Sequence, residues 1–186
     1  VTQVGSTLGA ESVKLSIAAG ALGLAIVVIF MIVYYRVPGL LASLALLFYA
    51  GGVFALFKAI PVTLTLAGIT GFILSVGMAV DANVLIFERF KEEVRAGRTI
   101  PAAVDAAVKR AWPAIRDSNT STLLTCLILL FVGPAQIKGF AIVLAIGVLA
   151  SLFSSIFVTH NLLAVVLSWT SARRPALLGV DRARAV

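Results

Sequence analysis

The stretch SVGMAVDANVLIFERF, residues 75–90, is apolar enough to lie in lipid, yet it carries Asp81 and Asn83. A carboxylate at the centre of a membrane helix costs about 2.5–3.5 kcal/mol to insert, so such a residue generally marks a functional site. Because removal from water penalises the charged form, the group can hold or release a proton as its surroundings change. We interpret Asp81 as a proton carrier. The alternative is a carboxyl that only joins two helices through hydrogen bonds.

The helix around Asp81 has two patterned faces. At 100° per residue, one face gathers polar and small residues within about 40° of one another. These are Thr63, Thr70, Gly77, Asp81 and Glu88. A second face has a row of small residues at intervals of four, formed by Gly71, Ser75, Ala79 and Asn83. Because such rows let membrane helices approach closely, we expect this helix to be central in the fold.

Later segments repeat both patterns. A second row of small residues consists of Gly147, Ser151, Ser155 and Thr159. The polar segment RDSNTST, residues 116–122, opens another apolar stretch. Small and hydroxyl side chains in membrane helices usually serve packing, and we interpret both small-residue rows in that way. The candidate residues that would support Asp81 are Thr70, Gly77, Asn83, Glu88, Arg116, Asn119 and Thr122.

Composition defines the elements that must position these residues. The 186-residue chain is 61% hydrophobic and 12% charged, with a mean hydropathy of +1.10, whereas soluble domains are about 25% charged. Five uncharged intervals of 20 to 34 residues can each hold a membrane helix, which needs about 20 residues. They predict spans at about 13–35, 39–57, 62–87, 114–132 and 139–169. The predicted fold is an all-α membrane protein without strands.

One connection, residues 88–113, is long and charged. Thr99 is a predicted N-cap ahead of Pro101, opening a short amphipathic helix that Trp112 closes. The apolar face of that helix consists of Ile100, Ala103, Val104, Ala107, Val108 and Ala111. The predicted organisation is a lead-in over residues 1–12, a five-helix domain over 13–170 and a basic tail over 171–186. No signal peptide precedes the first span, so we expect the chain to be the membrane part of a longer protein.

Basic residues indicate the topology. Of the 15 lysines and arginines, 12 fall on the side of the long connection and the C-terminal tail, and three, Lys14, Lys58 and Lys138, fall on the other. By the positive-inside rule the richer side is cytoplasmic. The N-terminus is then outside and the C-terminus inside. The net charge of +7 indicates orientation and attraction to anionic lipid, and it gives no reason to expect nucleic acid as a partner.

Other chemistry has little support in the sequence. Cys126 is the single cysteine, so no disulfide can form within the chain. We find no Cys/His spacing for a metal, no glycine-rich phosphate loop and no nucleophile with its base. We therefore expect neither an enzyme nor a bound cofactor.

Four segments resemble one known family. They are YYRVPGLLA (residues 34–42), GMAVDANVLIFERFKEE (77–93), IRDSNTSTLLT (115–125) and GFAIVLAIGVLASLFSS (139–155). They are similar to the C-terminal membrane domain of the SecD/SecF protein-export family, in the resistance-nodulation-division superfamily.

The resemblance implies a protein of the bacterial inner membrane that uses the proton-motive force to assist export through the SecYEG channel. It implies a pseudo-twofold pair with SecF, either fused or separate, and it adds YajC and YidC as candidate partners. Asp81 matches the family's membrane aspartate, the proposed proton-relay residue. Arg116 and Asn119 lie in a segment whose SecF counterpart carries relay residues. The exported domains that would hold the preprotein are missing from this sequence.

Two alternatives stay open. One is half of a proton-driven exporter of small molecules or lipids with the same superfamily architecture. The other is a passive scaffold for the translocation channel, in which Asp81 could be exchanged for asparagine without consequence.

Overall fold

Long helices account for nearly all of the residues that the structure describes. The computed structural model describes residues 6–59, 65–159, 161 and 163. Within them the helices are α1 (Ser6–Tyr35), α2 (Val37–Ala59), α3 (Leu66–Arg95), α4 (Ile100–Val132) and α5 (Ala135–Phe153), and α5 continues as a π-helical segment, Ser154–Thr159. In this part of the chain five helices are long and apolar enough to cross a membrane. The predicted all-α fold with five spans is confirmed.

Local chemistry explains where the helices begin and end. Between α1 and α2, Arg36 takes a positive φ of 54°. A side chain at Gly39 would overlap the Met31 carbonyl, so the turn requires glycine there. The Thr65 hydroxyl oxygen caps α3 by accepting a hydrogen bond from the Gly68 N–H at 3.1 Å. Such a cap satisfies a backbone donor that the first turn of a helix leaves unpaired.

Some boundaries differ from the sequence-based expectation. Residues 6–12, expected to be a lead-in, form the first turns of α1, where no proline interrupts them. The third helix begins at Leu66, and α5 begins at Ala135 directly after Pro134. Thr63, the end of the fifth span and the predicted tail, residues 171–186, lie outside the described residues.

The amphipathic segment after Thr99 is helical, but it is continuous with the fourth span. The expected separation near Trp112 is wrong, since α4 runs through Pro113. A proline inside a helix removes one hydrogen bond and costs about 3 kcal/mol or more. The buried stripe on both sides of the proline explains why the helix continues, because a break would interrupt its packing. That stripe consists of Ala103, Ala107, Ala111, Ile115 and Asn119.

Helix α3 is central, as its two patterned faces predict. It packs against each of the other four helices, most extensively against α5 and α4. Toward the C-terminal end of α3, Phe87 and Phe90 are fully buried in a core shared with α1, α2 and α4. The outer side of α1 is almost entirely exposed and apolar, as expected of a helix that faces lipid.

Small residues allow α3 and α5 to touch. A Cβ at Gly71 would lie 2.9 Å from the Phe140 carbonyl oxygen, and a Cβ at Gly147 would overlap Ser75. The Tyr49 hydroxyl from α2 reaches the same place. It lies 2.9 Å from Ser75 Oγ and 3.0 Å from the Gly147 carbonyl oxygen, and can donate to either. A buried phenol with hydrogen-bond partners therefore joins three helices at membrane depth.

We predict that Gly71→Ala destabilises the protein and that Gly77→Ala does not. The new methyl at Gly71 meets the Phe140 backbone, which cannot rotate away, and such overpacking costs about 1–3 kcal/mol. A Cβ at Gly77 meets nothing within 4 Å. Replacing this helical glycine with alanine should therefore raise the free energy of unfolding by roughly 0.5–1 kcal/mol. The free energies of unfolding in mixed detergent micelles would be compared. Equal effects would show that α3 and α5 can separate at no cost.

Candidate functional site

Asp81 lies halfway along α3 on a face that none of the other described helices covers. On one flank of this face, the Ile73 side chain reaches Gly20 of α1. On the other flank, Met78 packs in the apolar cluster that contains Cys126 of α4. The exposed residues between the two flanks are Thr70, Leu74, Gly77 and Asp81. We call this exposed strip, bounded by α1 and α4, the open face of α3.

A groove runs beside the open face. It has a volume of about 680 Å³, lies between α1 and α3, and is lined mostly by apolar and small side chains. Thr70 and Gly77 belong to its lining. The Thr70 hydroxyl donates to the Leu66 carbonyl at 3.2 Å, which satisfies its own proton within the helix. Asp81 thus stands next to a cleft rather than in a closed core.

The Asp81 carboxyl has no partner within the described part of the chain. It forms no hydrogen bond or ion pair with any residue there. A carboxyl that joined two helices of this domain would need a donor on a neighbouring helix, and the described residues supply none. A buried or lipid-covered carboxylate without partners carries a large desolvation cost. A contact between the described helices therefore does not account for the Asp81 carboxyl.

An ion pair between α3 and α4 shows which residues of α4 lie at the same depth as Asp81. Glu93 of α3 pairs with Arg110 of α4 at 2.6 Å. Asp81 lies twelve residues before Glu93 on α3. Thr122 lies the same number of residues, twelve, after Arg110 on α4. In antiparallel helices with equal rise per residue, this places Thr122 at the depth of Asp81.

The stretch of α4 around Thr122 carries hydroxyl groups on the side opposite the groove that α4 forms with α5. The hydroxyls of Ser121, Thr122 and Thr125 each donate to the carbonyl four residues earlier, at 3.0, 3.2 and 3.0 Å. Their protons are engaged, but their oxygens can still accept a hydrogen bond. Ser121 and Thr125 are exposed. A polar strip on α4 therefore accompanies the open face of α3.

Other candidate supporting residues point elsewhere. Asn83 is buried and lines a crevice with residues of α1 and α2. Asn119 is buried and donates to the Ile115 carbonyl at 2.7 Å. Arg116 is exposed and pairs with its neighbour Asp117 at 2.9 Å. Only Thr70, Gly77 and, by depth, Thr122 accompany Asp81.

The helix-packing candidates all occupy buried positions. They are Gly71, Ser75, Ala79, Gly147, Ser151 and Ser155. The Ser75, Ser151 and Ser155 hydroxyls each donate to a carbonyl three residues earlier in their own helix. These serines therefore fill space without leaving a polar proton unpaired in the apolar interior.

The sequence reasoning missed two groups of residues. Tyr49 was not singled out, although a tyrosine within an apolar span needs a hydrogen-bond partner when buried. Near the C-terminal end of α3, Glu88 was a candidate supporting residue for Asp81, but the other charges were interpreted only as topology signals. Glu88 there accepts from Lys91 at 3.4 Å, and Lys91 itself is buried over the rings of Tyr34 and Tyr35. The sequence did contain a signal for this burial, because the lysine and glutamates follow the apolar part of the same helix with no helix-breaking residue between them.

Metal binding has no site among residues 6–59 and 65–159, where no group of three His, Cys, Asp or Glu side chains comes together. The open face offers a single carboxyl at the depth of the hydroxyl groups on α4. Fold and site together define a multi-pass helical membrane protein with an ionisable residue at lipid depth, a class in which such residues mark ion pathways.

Comparison with known proteins gives the family. The family model described as "Protein export membrane protein SecD/SecF, C-terminal" matches residues 1–169. The chain belongs to this family. It is 59% identical over 183 residues to "Protein translocase subunit SecD" of Thermobaculum terrenum, which covers 96% of this chain. It is 54% identical over 179 residues to the protein of the same name from Dehalococcoides mccartyi, which covers 94% of this chain.

A solved structure has the same fold. The crystal structure of SecDF, a translocon-associated membrane protein from Thermus thermophilus, superposes with a TM-score of 0.85 and 36% identity over 91% of this chain. The matched part is 23% of that protein. The chain likewise spans only 36% and 40% of the length of the two relatives above.

We predict that Asp81→Ala leaves the fold of this domain intact, whereas Asn83→Ala does not. Asp81 is exposed and unpartnered within the described helices, so its loss should change the free energy of unfolding by less than about 0.5 kcal/mol. Asn83, two residues further on, is buried between helices, and the loss of a buried polar partner costs about 1–3 kcal/mol. Unfolding of the purified protein would be measured for both variants. If Asp81→Ala lowered the free energy of unfolding as much as Asn83→Ala, the alternative that Asp81 joins two helices through hydrogen bonds would be favoured again.

Proposed function

We propose that this chain is the membrane domain of a SecD subunit that couples proton movement to preprotein export. In this proposal it resides in the bacterial inner membrane, pairs with SecF across a pseudo-twofold axis and assists the SecYEG channel. YajC and YidC are further proposed partners. The exporter alternative is not carried forward, because both relatives compared above are named translocase subunits.

The observation that carries the proposal is the exposure of Asp81 at lipid depth. Its carboxyl lies in the middle of a helix long enough to span the bilayer, on a face that the other four helices leave open. Contact with acyl chains would cost about 2.5–3.5 kcal/mol for the charged form. A stable protein therefore needs a polar or protein cover on this face. A second half-domain of the SecF type would provide it.

In the proposed mechanism Asp81 alternates between two states. Protonated, it is neutral and compatible with a dry interface, and it can donate to hydroxyl oxygens at its depth, for which Thr122 is the nearest candidate on α4. Deprotonated, it favours a hydrated interface. A ligand or proton can shift a conformational equilibrium only through such a difference between two states. Thr70 and Gly77 would then support Asp81 by keeping the open face narrow and partly polar.

The proposed orientation places the α3–α4 connection in the cytoplasm. Arg89, Arg95, Arg98 and Arg110 lie near that connection, and the opposite ends of the helices carry only Lys14, Lys58 and Lys138. This distribution follows the positive-inside rule. It puts the beginning of α1 outside, and protons would move along the open face toward the end that holds Glu88.

We predict that cysteines at positions 100 and 137 lie on opposite sides of the membrane. Ile100 begins α4 and Ile137 lies in the first turn of α5, so the two are separated by the whole length of α4. In sealed cells an impermeant maleimide should label Ile137→Cys and not Ile100→Cys. Permeabilised cells are the control for reactivity, and Cys126 is replaced by alanine in both variants. Labelling at position 100 in intact cells would reverse the proposed orientation.

We predict that Asp81→Asn removes the response of export to the proton gradient. Asparagine keeps the size and hydrogen bonding of aspartate but cannot titrate. In inverted vesicles at saturating ATP, preprotein translocation should be the same with and without a gradient for this variant. The wild type should show a clear increment.

The control is Glu92→Gln, which removes an exposed carboxyl at the cytoplasmic end of the same helix and should retain the full increment. Asp81→Glu restores titration with the carboxyl displaced by one methylene, so partial recovery is expected. A full increment in the Asp81→Asn variant would leave the passive scaffold as the better explanation.

A further inference from the structure

Glu93 is one of two charged residues that are buried near the end of α3, the other being Lys91. Only 6% of the Glu93 side chain is exposed, and its two carboxylate oxygens pair with Arg98 and Arg110, each at 2.6 Å. Glu92, one residue earlier, is 44% exposed and pairs with Arg89 at 2.8 Å and Arg110 at 3.4 Å. Ion pairs on the surface contribute little, whereas removing one partner of a buried pair leaves an uncompensated charge.

The two partners of Glu93 tie α3 to the start of α4. Arg98 lies in the short connection, after Gly97 with its φ of 87°, and Arg110 lies ten residues into α4 by number, because 110 − 100 = 10. One carboxylate therefore fixes both the connection and the helix that follows it. A one-residue slip of α3 along α4 would shift Glu93 by about 1.5 Å and rotate it by about 100°. Neither short contact would survive that change.

The opposite flank of α3 is held by Lys91. Its ammonium lies 4.3 Å from the ring centroid of Tyr35 and 4.8 Å from that of Tyr34, both at the end of α1. A cation over aromatic rings in a desolvated place is attracted to both. Lys91 thus anchors α3 to α1 while Glu93 anchors it to α4. These are the two helices that bound the open face.

We propose that Glu93 is a positioning residue for Asp81. Its bridge to Arg98 and Arg110 sets the depth and rotation of α3 against α4, and it thereby holds Asp81 at the depth of Thr122 in the polar strip on α4. The inference rests on the proposed function only in assigning a role to Asp81. The register itself can be tested separately.

Helix register is measured by cross-linking. Met78→Cys on α3 is combined with the native Cys126 on α4, because both positions belong to one apolar cluster at the level that the Glu93 bridge predicts. In the full-length protein in membranes, a short apolar bifunctional thiol reagent should join the two cysteines. In a Glu93→Gln background the cross-linking rate should fall to roughly half or less, as expected when a buried ion pair is broken. Glu92→Gln is the matched control and should leave the rate unchanged.

The same variants are then tested in the translocation assay. Glu93→Gln should reduce the gradient-dependent increment at matched protein amounts, while Glu92→Gln should not. Glu93→Asp keeps the charge and should recover most of both the cross-link and the increment. Should Glu93→Gln fail to accumulate, Arg110→Lys offers a milder change, because lysine keeps the charge but loses the fork of arginine.

The outcomes separate the two proposals. Unchanged cross-linking in both Glu93→Gln and Arg110→Lys would overturn the positioning role, whatever Asp81 does. Slower cross-linking with an unchanged increment would also overturn it, since the register would then not matter for Asp81. A full increment in Asp81→Asn would instead overturn the proposed proton role and leave the cross-linking result standing.

Discussion

The close approach of α3 to α5 is the constraint on which the rest of the arrangement depends. In lipid, water does not drive helices together, so contact requires small residues that bring backbones near. Gly71 faces the Phe140 carbonyl and Gly147 faces Ser75, and Tyr49 adds α2 to the same contact. Because one side of α3 packs against α5 and α2, α1 and α4 contact α3 on its two flanks. The remaining face stays open.

Because Asp81 lies on the open face, the packing that stabilises the domain does not involve the residue to which we assign the proposed proton role. The buried polar side chains of the described residues are satisfied, with no nitrogen or oxygen atom left without a partner. Asp81 is instead exposed. The free-energy cost of removing its carboxylate from water therefore depends on what contacts this face from outside the described helices. The domain can therefore fold through apolar packing without a hydrogen bond or ion pair from Asp81 to the described helices. A carboxyl inside the α3–α5 contact would instead need a partner there.

The C-terminal end of α3 shows that charged residues which indicate topology can also serve structure. Basic residues are enriched there, yet Lys91 and Glu93 turn inward and contact α1 and α4. Proline at position 113 is tolerated in α4 for a related reason. The buried stripe of α4 continues on both sides of it, so the helix packs as one rod from the connection to the far side of the membrane. A single unbroken helix thus connects the α3–α4 connection with the depth of Asp81.

The sequence by itself determined the five helices, the central place of α3 and the acid at lipid depth. These follow from hydropathy and from residue spacing along single helices, which neighbouring residues set. It did not determine that Asn83 faces α1 and α2, that Glu93 is buried, or that α4 runs through Pro113. Such features depend on which helices meet and on which side. Packing between residues far apart in the chain decides this, so only the tertiary structure could show that Asp81 has no partner among the described helices.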